Sequence, residues 1–173
     1  IRQYRRDGIY FIQSLDNFDA IEYGLRMIQA KKRMSQTRLL SVIEASRKSN
    51  AVEKFLGTVV RVVPFAQYAD AFGKVSIDRK VRDWIGRIRS KATEIRGVTD
   101  KAMENAARAH FALLEMLDHH QADGLTMNCL QRGMLKPCIS FSQLNSQLVP
   151  ATCENDFPAI YTQLLGQQLL GRP

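Results

Sequence analysis

The hexapeptide Ala151-Thr152-Cys153-Glu154-Asn155-Asp156 gathers the groups best suited to chemistry. It falls where a short strand should end and a helix should begin. In parallel α/β sheets, ligands bind outside the carboxyl ends of the strands. Two carboxylates at such a place can bind a divalent cation or move a proton. They can equally cap the helix, because acids near a helix N-terminus satisfy free N–H groups and the dipole. Spacing alone favours capping. Asp156 is the better capper of the two, which leaves Glu154 as the functional candidate.

The other reactive side chains have plainer readings. His119 and His120 close a long helix. Adjacent helical residues point about 100° apart and rarely share a metal, so a solvated pair is expected. His110 lies on an apolar helical face and reads as a core histidine with a hydrogen-bond partner. Cys129 and Cys138 read as small core hydrophobes. Trp84 and the stripe Met103–Leu117 read as core. The chain contains no P-loop, G-x-G-x-x-G, G-x-S-x-G or H-E-x-x-H pattern.

The elements that must position Glu154 follow from periodicity. Asp16 to Met34 reads as a helix with Phe18, Ile21, Leu25 and Ile28 on its apolar face and Asp16 as its cap. Leu39–Ile43 and Thr58–Val63 read as buried strands. A short helix is expected between them, from Ala51 to Leu56. Phe65–Phe72 is helical. Asp78–Arg96 follows as a helix, with Val81, Trp84, Ile85, Ile88, Ala92 and Ile95 on one face and Gly97 as its C-cap. Thr99 opens a further helix that runs to His119, with Met103, Ala107, His110, Leu114 and Leu117 as its stripe. Gly124–Cys129 reads as a third strand, and Cys138–Phe141 and Leu148–Thr152 as weaker ones. Phe157–Leu170 closes the chain as a helix with Pro158 in its first turn. Strands alternating with helices predict a three-layer, Rossmann-like α/β domain with a mainly parallel sheet and helices on both faces.

At 173 residues the chain is long enough to bury one real core. Its apolar runs are far too short to span a bilayer. No secretory leader is expected, since Ile9–Leu15 is short and no small-residue cleavage site follows it. Three cysteines at loose spacing suit neither a disulfide framework nor a zinc site, and point to reduced thiols in the cytoplasm. The net charge of +8 is lopsided: residues 1–100 hold 20 Lys/Arg against 11 Asp/Glu, and residues 101–173 hold 5 against 6. Such a basic half can meet nucleic acid or phosphate. The cations here are spread over several helices and no nucleic-acid motif accompanies them. A solvated surface, or a face against an acidic neighbour domain, is therefore the preferred reading.

Four pieces taken in order resemble the ending of the central domain in the L-fucose/L-arabinose isomerase superfamily. They are Gly124-Leu125-Thr126-Met127-Asn128-Cys129-Leu130, then Lys136 to Asn145, then Ala151 to Asp156, then Leu165 to Gly171-Arg172-Pro173. The Cys-Glu-x-Asp element before a helix ending in Gly-Arg-Pro is the most specific. The upstream order of strands and helices is also similar. The resemblance implies an aldose–ketose isomerase that uses Mn2+, with Glu154 as a metal ligand and acid/base residue and Asp156 in support. It further implies a homo-oligomer with sites at subunit contacts, acting on a sugar. Residues 1–37 would be a helical lead-in from a preceding domain, and residues 38–173 the central domain. The family's remaining ligands lie later in the chain. The lack of an initiator Met and the stop at Pro173 make this an excised or processed piece on that reading, inactive alone. A catalytically silent sugar- or sugar-phosphate-binding relative is the alternative, and a basic nucleic-acid-binding module a weaker one.

Overall fold

The run from Leu39 to Ile43 is apolar around one serine, as a strand covered on both faces must be. The computed structural model, which describes residues 16–44, 50–130 and 132–171, places it at the centre of the sheet. Strand β1 (Arg38–Ile43) pairs in parallel with β3 (Val59–Pro64) on one side and β4 (Gly124–Met127) on the other. β5 (Ala151–Cys153) adds in parallel beyond β4. The short β2 (Ala51–Val52) is antiparallel on the far edge, giving the order β2-β3-β1-β4-β5. The chain leaves β1 toward β3, then crosses back past β1 to β4 and β5. The strand order thus reverses beside β1, and in open parallel sheets that reversal is where ligands bind, outside the carboxyl ends.

Alternation along the strands sorts the two layers. Leu40 and Val42 of β1, Leu125 and Met127 of β4 and Ala151 of β5 enter the larger core. They meet α2 (Phe65–Lys74), α4 (Asp100–His119) and α5 (Cys138–Ser146), with α3 (Arg79–Lys91) packed outside on α4. Leu39 faces the other way, onto Met34 of α1 (Phe18–Gln36) and onto Ile160 and Leu164 of α6 (Phe157–Leu170). The result is the expected three-layer α/β fold. Glycine is required at 124 because the strands close tightly there: a Cβ would sit 2.6 Å from the Pro150 carbonyl oxygen. Among the described residues, no helix is long and apolar enough to cross a membrane.

Several local expectations fail, each for a physical reason. The segment from Ala51 is no helix. Val52 pairs with Val59, and the Glu53 carboxylate accepts from the Phe55 and Leu56 N–H groups to fix a turn closed by Gly57. Five or six residues are too few to nucleate a helix against those bonds. Cys138–Phe141 is helical, not extended: Phe141 and Leu144 reach the core at i, i+3 spacing. Cys138 is exposed rather than core. α3 stops at Lys91, so Ala92 and Ile95 leave the apolar face, and Gly97 (φ 65°) sits in the following loop. The stripe assigned to α1 is on the surface, with Phe18 78% and Leu25 52% exposed; Gly24, Ala30 and Met34 are buried instead. Asn17, not Asp16, caps that helix. The leader reading of residues 1–15 and the Arg172-Pro173 ending lie outside the described residues.

His110 is the satisfied core histidine that its position predicted. It is 4% exposed, its Nδ1 lies 3.0 Å from Ser140 Oγ, and its ring stacks on Trp84 with centroids 4.9 Å apart. Burial first, and then the charges of Arg87 and Lys80, push its pKa down to about 4. Unfolding restores an ordinary histidine near pH 6.5, so the unfolded chain binds the extra proton below that pH. Stability should therefore fall as pH drops from about 6.5 to 4, by about 1–3 kcal/mol from this group, and level off below. Thermal melts across that range should show the slope, and His110→Gln should flatten it.

Candidate functional site

Four strand ends meet on the carboxyl edge of the sheet, and the last of them carries Glu154. A row of hydroxyls below the edge shapes it. Ser41, Thr126 and Thr152 are in register across β1, β4 and β5, and all three are buried. They point to the side away from the large core, because their neighbours Leu40, Leu125 and Ala151 enter it. Thr126 Oγ1 donates to the Thr152 carbonyl at 3.2 Å. Thr152 Oγ1 donates to the Asp156 carbonyl at 3.3 Å. Ser41 Oγ donates to Asn155 Oδ1 at 2.6 Å. Each bond satisfies a buried polar group, and together they tie the β5–α6 turn to the sheet.

The turn itself is strained. Glu154 (φ 57°) and Asn155 (φ 58°) both adopt left-handed backbone. Asparagine tolerates that region, but for glutamate it costs about 1–2 kcal/mol. The turn is closed by the Asp156 N–H donating to the Cys153 carbonyl at 3.1 Å. Asp156 Oδ1 then accepts from the Ala159 N–H at 2.9 Å and caps α6, with Pro158 in the first turn. The two acids of the hexapeptide thus part company: Asp156 is spent on the helix, and Glu154 stands exposed at the rim.

Glu154 has one polar neighbour of note. The buried Cys129 thiol, just past β4, donates to Glu154 Oε1 at 3.7 Å. Burial first, then the neighbouring Cys153 thiol and the Glu154 charge, push the Cys129 pKa up to about 12. Cys129 is therefore a protonated donor at neutral pH and not a nucleophile. Further along the edge, Arg132 pairs with Glu44 after β1. Its guanidinium lies 4.0 Å from the Phe65 ring centroid, and its Nε donates to the Asn128 carbonyl at 3.3 Å. Three anchors hold this cation on the same edge as Glu154.

The other candidates stay apart from this edge. His119 is exposed, while His120 is half-buried and packs against Arg61 (3.2 Å) and Gln67 (3.0 Å). All three cysteines are free thiols. Among the described residues, no three His, Cys, Asp or Glu side chains cluster to hold a metal ion. The donor set at Glu154 is one carboxylate, a protonated thiol, and an amide oxygen already taken by Ser41. A Mn2+ shell needs several oxygen or imidazole donors, so these residues offer it one ligand and do not complete it. Sequence reasoning missed Ser41, Cys129 and Arg132 as parts of the edge. The signal available for them was position alone, in or just past a strand.

The left-handed glutamate makes a stability prediction. Glu154→Gly relieves the backbone and should stabilise the fold by about 0.5–1 kcal/mol, net of the added flexibility of the unfolded chain. A denaturant midpoint that rises in E154G but not in E154Q would show that backbone strain, rather than the charge, is responsible.

The chain matches none of the models of known protein families and none of the curated proteins with which it was compared.

Proposed function

We propose that this chain is the central domain of a metal-dependent aldose–ketose isomerase, to which it contributes Glu154. The observation that carries this reading is the Glu154 carboxylate on strained backbone at a strand's carboxyl end. Strain of that kind collects at functional sites; Gln121 and Leu148 share the left-handed backbone, but of the four such residues Glu154 alone brings a carboxylate. The family resemblance of residues 124–173 agrees in placing its ligand glutamate at this position.

Glu154 would act on the proton that moves between two adjacent sugar carbons. Its carboxylate takes the proton from the carbon beside the carbonyl and returns it to the former carbonyl carbon. One C–H bond breaks and another forms on the sugar, while the hydroxyl beside the carbonyl gives its proton to solvent and the former carbonyl oxygen takes one from solvent, so the redox change is internal. Cys129 stays protonated and donates to Oε1, which fixes the carboxylate's orientation without exchanging its proton. Mn2+, when bound, would supply positive charge for the two sugar oxygens. Its other ligands would come from residues outside this sequence or from a second copy in a homo-oligomer. The same reading puts the protein in the cytoplasm, with its thiols reduced.

The test is aldose–ketose exchange by the complete isomerase carrying this domain, with Mn2+ present. Glu154→Gln should lower kcat by about 10²-fold or more with the fold intact by circular dichroism. Unchanged exchange in that variant would overturn the role of Glu154. Sugar binding without any exchange in the unmodified protein would replace the enzyme by a silent sugar-binding relative.

A further inference from the structure

A concavity lies between α3, α4 and α5, with a volume of about 390 Å3. That is within the usual range for small-molecule sites, about 300–1,000 Å3. Its charge is of one sign. Lys80, Arg87 and Lys91 project from α3 at helical spacing onto one rim, and no acid lines the cavity. Among the described residues none of the three is in an ion pair. The acid one turn before Arg87, Asp83, is bridged to Arg79 at 3.8 Å.

The rest of the wall is flat and apolar, with two amides. Trp84, buried and stacked on His110, and Phe111, with Lys80 Nζ 4.9 Å from its centroid, form the inner wall. Gln143 of α5 and Gln147, its C-cap residue, supply neutral donors and acceptors. The charges of Arg87 and Lys80 are felt at the base, where they help keep His110 neutral. Asp78 and Asp83 share the adjoining surface with Lys80 and Arg87, but three cations outside any ion pair and no acid on this wall favour an anion here. A free phosphate would fill only part of it, and the aromatic and amide walls suit an attached organic group.

We propose that the α3–α4–α5 cavity binds a small organic phosphate monoester, its phosphate on Lys80, Arg87 and Lys91 and its organic part against Trp84, Phe111 and the two glutamines. The site is separate from Glu154 and does not depend on the isomerase reading.

Trp84 is the chain's one tryptophan, so its fluorescence reports on this cavity directly. Ribose 5-phosphate, ribose and inorganic phosphate are titrated separately at constant ionic strength, alongside a single-stranded oligonucleotide. Ribose 5-phosphate should give a saturable change, inorganic phosphate a weaker one and ribose none. Lys80→Gln and Arg87→Gln should each weaken ribose 5-phosphate binding about tenfold, since both side chains are exposed and the fold should persist. No change up to about 10 mM ligand would overturn the proposal. Affinity unchanged from the unmodified protein in both variants would do the same, as would binding of the oligonucleotide alone.

Discussion

The hydroxyl row Ser41–Thr126–Thr152 is the constraint on which the carboxyl edge depends. Three neighbouring strands each put a small polar side chain at the same level on the same face. Buried hydroxyls must find partners, and an unmet one costs about 1–3 kcal/mol. Two of them find theirs in the β5–α6 turn, at Asn155 Oδ1 and the Asp156 carbonyl; the third, from Thr126, holds the Thr152 carbonyl. The turn is therefore fixed from below before α6 begins. Apolar residues in the same row would leave the turn without these bonds and the left-handed pair without support.

The rest of the sheet makes that row possible. β1 is buried along nearly its whole length, and only a strand with neighbours on both edges and layers on both faces can be so. Leu40 and Val42 tie it to the α2–α4–α5 layer while Leu39 ties it to α1 and α6. Ser41 sits between these anchors, so its direction is set by the pleat. A one-residue slip of β1 would bury its hydroxyl among leucines and methionines and break the bond to Asn155.

The sequence made the order of strands and helices legible because the signals are local. β-branched runs, a proline after β3 and caps at Asp78, Thr99 and Asp156 need only neighbouring residues. The helix from Asp100 to His119 and the core place of His110 were readable from a single stripe. What failed depended on distant partners. The apolar stripe of α1 has the right period, yet α6 covers a different face of the helix. Cys138–Phe141 looks extended over four residues and shows its helical period only when Leu144 is included. At the candidate site, Glu154 stood out by its type and place. Its neighbours did not: Cys129 is 25 residues away in sequence, and Ser41 is 114 residues from Asn155. Nothing in a single sequence joins such pairs.

The two acids of the 151–156 turn show how one short segment divides structural and chemical work. Asp156 follows the left-handed pair, which puts its carboxylate in line with the free N–H groups of α6. With that end of the helix satisfied, a second acid is not needed for capping. Glu154 instead occupies backbone that glycine would accept more readily, and its carboxylate meets a thiol held protonated by burial. Left-handed backbone serves turns elsewhere in the fold, at Gln121 and Leu148, so at Glu154 the carboxylate rather than the strain is the distinguishing feature. The segment sits where parallel sheets bind ligands, with Arg132 fixed on the same edge. The role proposed for Glu154 thus rests on its place at the end of β5, and on Asp156 having already taken the structural role.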